Sequence, residues 1–287
     1  MNYSTQYVRH DAGFCMIPGL FVPSMRNKKR EALDVQRDYD GYNLHFMGYK
    51  QLCGDDLRLL QVIIALSGLN GQILGPDTKA KKGVELRDLL DLKGEALTAN
   101  SVMIKTSFYE LIKEAGWQSG TSKRTQISAS LDRLNNVTLK VTKDGRWWSS
   151  NLIGASSGDE KKSLAISLNP RVAQIILRKS SAAYIDMNEV RARMDEPTRI
   201  LHQYLSAWIG PGKSQKIGLE KILINIWPSP CLPTTMRDRK AKIRKIMARL
   251  NEFESWTVLV NRKDLFEIKR SRFEPWKDQQ KEISGLK

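Results

Sequence analysis

The chain is poor in cysteine and histidine, and it has no long apolar run. Only Cys15, Cys53 and Cys231 occur in 287 residues. They are odd in number, scattered and never two residues apart, which excludes a disulfide framework and a Cys-x-x-Cys zinc site and points to a reducing cytoplasm. His10, His45 and His202 stand alone. They offer neither the paired histidines of a metal-dependent nickase nor a His-Glu-x-x-His helix. The most apolar stretch, around Val62 to Leu66, falls far short of the about 20 residues that a membrane span requires. The polar start Met1-Asn2-Tyr3-Ser4 lacks a charged-then-apolar signal segment, so a soluble, unexported protein is expected.

Acidic residues are scarce too. There are 31 Asp and Glu against 47 Lys and Arg, giving a net charge of +16 and a pI near 9.8. Such a balance implies an anionic partner. At 41% hydrophobic and 27% charged, the composition is that of a globular protein, and the length suits two domains with separate cores. The charge leans toward the C-terminus, +5 up to Lys143 and +11 after it.

Met236 to Arg249 (MRDRKAKIRKIMAR) concentrates that excess. It holds Arg237, Arg239, Lys240, Lys242, Arg244, Lys245 and Arg249 against Asp238 alone. Ile243, Ile246, Met247 and Leu250 recur at helical spacing, which predicts a helix with one buried stripe and a cationic outer face, capped by Thr234 or Thr235. Upstream, Leu219, Ile222, Leu223 and Ile226 predict a helix ended by Trp227-Pro228. Downstream, Trp256 to Val260 and Leu265 to Ile268 alternate around Asn261-Arg262-Lys263-Asp264, which predicts a hairpin with a basic tip. Helix, turn, basic helix and hairpin form the order of a winged helix, in which the second helix enters the major groove and the hairpin touches the backbone. Arg237, Arg239, Lys240, Lys242 and Arg244 are the candidate groove contacts, and Arg262 and Lys263 the candidate wing contacts.

The same order occurs earlier. Ser107 and Glu110 make a capping box before Phe108, Leu111, Ile112 and Ala115, and that helix stops near Gly116. Ser122 to Asn135 places Ile127, Leu131 and Leu134 on one face, with Ser122, Lys123, Arg124 and Gln126 at the exposed start and Thr121 or Ser122 as cap. Val137 to Val141 and Trp147 to Ile153 flank Asp144-Gly145, a tight hairpin whose tip carries Lys143 and Arg146. Two tandem winged-helix domains in an α+β chain are therefore expected. The first spans residues 1–180 with an added hairpin from Glu31 to Met47, the second spans 181–275, and a fraying tail fills 276–287. Residues 154–162 read as a polar loop. Leu164 to Leu168 reads as a strand, and Asn169-Pro170 as the start of a helix reaching about Lys179.

Catalytic readings fail on context. Trp208 to Ser214 (WIGPGKS) ends like a phosphate-binding loop but has Ala207 where that pattern wants glycine, and it follows a helix where a strand is required. Asp55-Asp56 opens a predicted helix, where carboxylates cap and meet the dipole. In Trp147-Trp148, strand alternation turns one ring to the core and the other over the sheet. No metal or cofactor site is expected.

In order along the chain stand VRHD (Val8 to Asp11), PGLF (Pro18 to Phe21), DDLR from Asp55 with Leu60-Gln61, and Asn70-Gly71 with LGP (Leu74 to Pro76). They continue with LNP and AQ (Leu168 to Gln174), EVRA (Glu189 to Ala192), LHQ (Leu201 to Gln203) before WIGPGK, WPS (Trp227 to Ser229), TMR (Thr235 to Arg237) and WTV (Trp256 to Val258). Together these strings make the chain resemble the RepC replication initiators of IncQ-type broad-host-range plasmids. The resemblance implies a bacterial, non-enzymatic protein of two winged-helix domains. It would bind directly repeated origin sequences (iterons), open neighbouring AT-rich DNA and bring in the plasmid's helicase and primase. Asp238 and the lysines of the basic helix depart from an Arg-rich family pattern, so the preferred repeat would differ. A monomer or weak dimer is expected, since two reading helices on one chain raise each other's effective concentration. A winged-helix repressor, acting even on its own promoter, is the alternative reading.

Overall fold

The computed structural model of the chain describes residues 5–24, 30–158, 163–177, 182–192, 194–261 and 264–273. The expected joint at Ser180-Ser181, the tail 276–287 and the wing residues Arg262 and Lys263 lie outside them. From the N-terminus run β1 (Tyr7–His10), α1 (Ala12–Met16) and the hairpin β2 (Leu33–Tyr39) and β3 (Tyr42–Gly48). Asp40 and Gly41 both take positive φ at its tip, the geometry of a tight two-residue turn. The central helix α2 (Gly54–Asn70) is followed by β4 (Gln72–Leu74), α3 (Lys81–Leu89), β5 (Lys93–Gly94) and β6 (Ser101–Ser107). Next come α4 (Phe108–Glu114), α5 (Thr121–Asn135), β7 (Val137–Lys143), β8 (Arg146–Asn151), β9 (Ile153–Ser157), β10 (Ser163–Leu168) and α6 (Pro170–Ile176). The rest comprises β11 (Ala183–Asp186), α7 (Met187–Arg191), α8 (Glu196–Trp208), β12 (Ser214–Gly218), α9 (Leu219–Ile226), α10 (Pro233–Leu250), β13 (Trp256–Val260) and β14 (Leu265–Arg270).

The strands assemble into antiparallel sheets flanked by helices. The expected β7–β8 hairpin is extended by β2, β3 and β5 into a sheet ordered β2-β3-β7-β8-β5. Asp144 and Gly145 at its tip have φ of 50° and 77°. A second sheet runs β4-β6-β10-β9, so Gly154 to Ser157, expected as loop, continue a strand from Ile153: pairing with β10 outweighs composition. The three-stranded sheet β12-β14-β13 carries the C-terminal hairpin, and β1 pairs with β11 across the length of the chain.

Capping follows local chemistry in part. Ser107 caps α4 by accepting from the Glu110 amide, while the Glu110 carboxylate turns to Thr106 and leaves the box half made. Asn169 caps α6 with Pro170 in the first turn, but that helix stops at Ile176. Neither Thr121 nor Ser122 caps α5, and neither Thr234 nor Thr235 caps α10. The helices start one to three residues earlier than expected, at caps Gly120 and Leu232, with Pro233 pre-set for the first turn of α10.

Two large apolar clusters result, with a small third of Leu74, Leu86, Met103 and Ala165. The larger collects side chains from Val8 to Ile200 around α2, which is buried almost all round. The smaller collects Leu201 to Ile268 from α8, α9, α10, β13 and β14. Helix α8 serves both, Ile200 in the first and Leu201, Tyr204 and Leu205 in the second.

Buried polar groups tie the elements together. Asp56, fully buried, accepts from the Cys53 amide (2.9 Å), from Arg133 (2.6 Å), from Arg30 (3.2 Å) and from the Ser130 hydroxyl, locking α2 to α5. Glu189 of α7 accepts from Trp256 Nε1 at 3.0 Å and from the Ser255 hydroxyl, and its other close neighbour is His202 Nε2 at 2.5 Å. Arg270, 1% exposed, donates to the carbonyls of Ser206 (2.7 Å) and Tyr184 (2.6 Å). Burial pushes its pKa down to about 10.

Two outcomes follow. Asp56→Asn leaves two guanidinium groups without their counter-charge and should cost about 3–5 kcal/mol in urea unfolding; a loss below about 1 kcal/mol would show that the cluster is inert. Burial opposes ionisation of Glu189, but His202, Trp256 and Arg270 outweigh it and hold its carboxyl below the ordinary value. A depressed carboxyl contributes stability above the unfolded pKa, and that contribution is lost as pH falls through the folded pKa. Asp186, raised by burial and by the charge of Glu189, works in the opposite sense. Acid unfolding curves of the wild type should therefore lose, in Glu189→Gln, the part of their slope that lies below the ordinary carboxylate range.

Candidate nucleic-acid interface

The start of α5 gathers four of the expected residues. Ser122, Arg124 and Gln126 are exposed; Lys123 is half-buried, with Nζ 4.8 Å from the centre of the Trp117 ring and donating to Gln126 at 2.6 Å. Ile127, Leu131 and Leu134 face the core and turn that polar end outward. At the β7–β8 tip, Lys143 stands over the Tyr42 ring at 4.3 Å and Arg146 lies 3.9 Å from Glu95, both exposed. Behind the tip, Trp148 packs on the core, while Trp147 is 47% exposed with Lys140 over it at 5.6 Å, the split that strand alternation predicts.

Helix α10 departs from the expected uniform cationic face. Ile243, Ile246, Met247 and Leu250 are buried as predicted, but so is Arg239, which is only 9% exposed. It lies four residues before Ile243, in line with the apolar stripe. Its guanidinium therefore folds over the Trp227 ring at 5.4 Å and donates to the Ser229 carbonyl at 3.3 Å. Arg239 is thus a packing residue, and its charge is withheld from the outer face.

The remaining cations divide into two flanks. Arg237, Lys240 and Arg244 share one: Arg237 is exposed, Lys240 pairs with Glu220 of α9 at 2.6 Å, and Arg244 makes a two-pronged contact with Asp264 at 2.7 and 3.0 Å. That contact holds the Asp264 carboxyl below its usual range. Lys242, Lys245 and Arg249 share the other flank, spaced i, i+3 and i+7. Lys242 pairs with Asp195; burial opposes ionisation of that carboxylate, and hydrogen bonds from Lys242 and Thr198 outweigh it. The flank of Lys242 ends at Arg249, which with Lys123 borders one cavity. Arg249 is thus brought beside α5, a proximity that sequence spacing could not show.

The rejected motifs have structural places. Gly210-Pro211-Gly212 joins the end of α8 to β12 with Gly212 at φ 73°, a helix-to-strand turn and the reverse of a phosphate-binding loop. Asp55 pairs with Arg199 at 3.1 Å, His45 with Asp34 at 2.7 Å, and His10 is buried with its pKa lowered by desolvation. Among the described residues no group of three His, Cys, Asp or Glu could hold a metal, and no helix is long and apolar enough to cross a membrane.

The fold is similar to the crystal structure of domains 2 and 3 of RctB, with a TM-score of 0.54 at 9% identity, covering 91% of this chain and 99% of that one. A second structure of RctB domains 2–3 gives a TM-score of 0.47 at 8% identity, covering 92% and 97%. No curated protein matches the chain. The family model for replication protein C (RepC) matches residues 2–272, with β1 at one end and β14 at the other. The chain therefore belongs to the replication protein C family.

Proposed function

We propose that this chain is the replication initiator of an IncQ-like plasmid, a sequence-specific double-stranded DNA-binding protein built from two winged-helix units. It binds direct repeats at the origin, promotes opening of neighbouring AT-rich DNA and brings in the plasmid's helicase and primase. It acts by binding rather than by catalysis. One observation carries the reading: the chain uses the same element order twice, α4-α5-β7-β8 and α9-α10-β13-β14, and each second helix presents cations to solvent. In each case the hairpin is part of a larger antiparallel sheet, which stiffens it as a backbone-contacting wing. Membership of the replication protein C family supports the assignment to replication.

In this reading Arg124 and Gln126 of α5 and Arg237, Lys240 and Arg244 of α10 face base edges. Lys143, Arg146, Arg262 and Lys263 meet phosphates. Glu220 and Asp264 hold Lys240 and Arg244 until phosphates or base edges compete for them.

Footprinting of the purified protein on its own plasmid's origin should protect the direct repeats. With roughly 6 to 10 phosphates neutralised, affinity should fall by about 10³ to 10⁵ between 50 and 200 mM salt; a flat salt response overturns the reading. Arg124→Ala and Arg237→Ala should each cost about 1–3 kcal/mol on the repeat and relax specificity, whereas Arg146→Ala should weaken all sequences equally. Asp264→Ala, which releases Arg244, should tighten binding to any duplex and steepen the salt dependence; weaker binding would mean that Asp264 positions Arg244 for its contact.

A further inference from the structure

The space between α5 and α10 is a cationic cleft. A cavity of about 480 Å³ is bordered by Trp117 and Lys123 at the entry to α5, Arg58 of α2, Arg191 at the end of α7, Asp195 and Arg249 in the last turn of α10. A second cavity of about 300 Å³ shares Trp117 and Lys123 and continues toward Arg30 and Arg133. Four cations line the first cavity against one carboxylate, and that carboxylate already caps α8 through the Thr198 amide at 3.1 Å and pairs with Lys242. Lys123 is held in place by an aromatic ring and a neutral amide, so these contacts leave its charge uncancelled. Arg58 and Arg191 are rigid: Arg58 donates to the Arg191 carbonyl at 2.9 Å, and Arg191 donates to the Glu114 carbonyl and carboxylate, both at 3.0 Å. The walls supplied by α2, α5 and α7 are thus fixed, and the cations come from four separate helices.

We infer that this cleft clamps the phosphodiester backbone of the duplex where it passes from the segment read by α5 to the segment read by α10, with Lys123 and Arg249 as the two jaws. This rests on the DNA-binding reading above and adds a site to it. A strand running between two helices that read successive major-groove segments must cross the protein between them, and the cleft lies there. Arg249 brings a guanidinium whose planar fork matches phosphate oxygens, whereas Arg191 spends its N–H groups on Thr5, Glu114 and Asn188 and so forms wall rather than contact. The cleft assigns the Lys242–Lys245–Arg249 flank of α10 to the backbone and leaves the Arg237–Lys240–Arg244 flank to the bases.

The test uses the full chain, the origin duplex that the wild type protects and a random-sequence duplex of equal length. Phosphate ethylation interference and the salt slope are measured for wild type, the double variant Lys123→Gln/Arg249→Gln and, as control, Arg237→Gln on the other flank. In the wild type, ethylation between the two major-groove footprints should block binding. The double variant should lose that interference, keep its base-methylation interference and have a salt slope shallower by about 1 per lost phosphate contact. An unchanged ethylation pattern and slope in the double variant overturns the clamp. Lys123→Gln alone, at a half-buried position with neutral partners, carries the same comparison should the double variant unfold. A wild type without a repeat-specific footprint defeats the initiator reading separately; the slope on random duplex then still decides the clamp, supporting it if shallower in the double variant and overturning it if equal.

Discussion

Glu189 holds the molecule's midpoint. A carboxylate that deep is costly to desolvate, and it persists because a histidine from α8, an indole from β13 and a neighbouring serine hydroxyl converge on it. Those partners belong to the C-terminal half, whereas α7 stands on β11, which in turn pairs with the first strand of the chain. One side chain therefore ties α8 and β13 to α7, the helix that follows β11. Arg270 repeats the link from the other side, reaching from the last strand to the Tyr184 carbonyl of β11. Glu189 and Arg270 thus add polar links where the two clusters meet along α8.

The net charge takes on a different meaning once partners are known. A helix with seven cations looks like one uniform surface, yet Arg239 is spent on Trp227, and Lys240, Lys242 and Arg244 have carboxylate partners drawn from three different elements. The partnered carboxylates keep the helix ordered and lessen indiscriminate attraction, since any anion must compete with a pre-formed contact. Like-charge repulsion within α10 is relieved by the same pairs.

Elements marked by strong local chemistry were legible in the sequence. The apolar stripes of α9 and α10, the Asp144-Gly145 turn and the Asn169-Pro170 start all stand where periodicity and turn preferences put them. The region from Gln72 to Ser107 was not, because β4 and β5 have three and two residues and α3 buries only Gly83 and Leu86. Likewise Ser214–Gly218 is polar enough to read as loop, and it is a strand only because β14 offers it an edge. At the interface, the polar start of α5 could be read from spacing, whereas Arg239, expected on the outer face, lies in line with the apolar stripe and is buried. The cleft could not: Arg58, Lys123, Arg191 and Arg249 are neighbours through tertiary contacts between positions far apart in the chain.

Helix α8 has a consequence beyond packing. Its 13 residues make a strut of about 20 Å at the usual helical rise. Its faces, not its ends, divide between the cores: Ile200 and Ala207 pack on the first, and Leu201, Tyr204 and Leu205 on the second, so the two halves share one rigid element. Under the proposed DNA-binding reading, that shared helix sets the distance between the two reading helices. On a duplex that turns once in about 10 base pairs, a single inserted pair would rotate the far segment by roughly 35° out of reach. Under that reading the protein would act as a caliper, and the spacing of the repeat it fits would be set by the packing around α8.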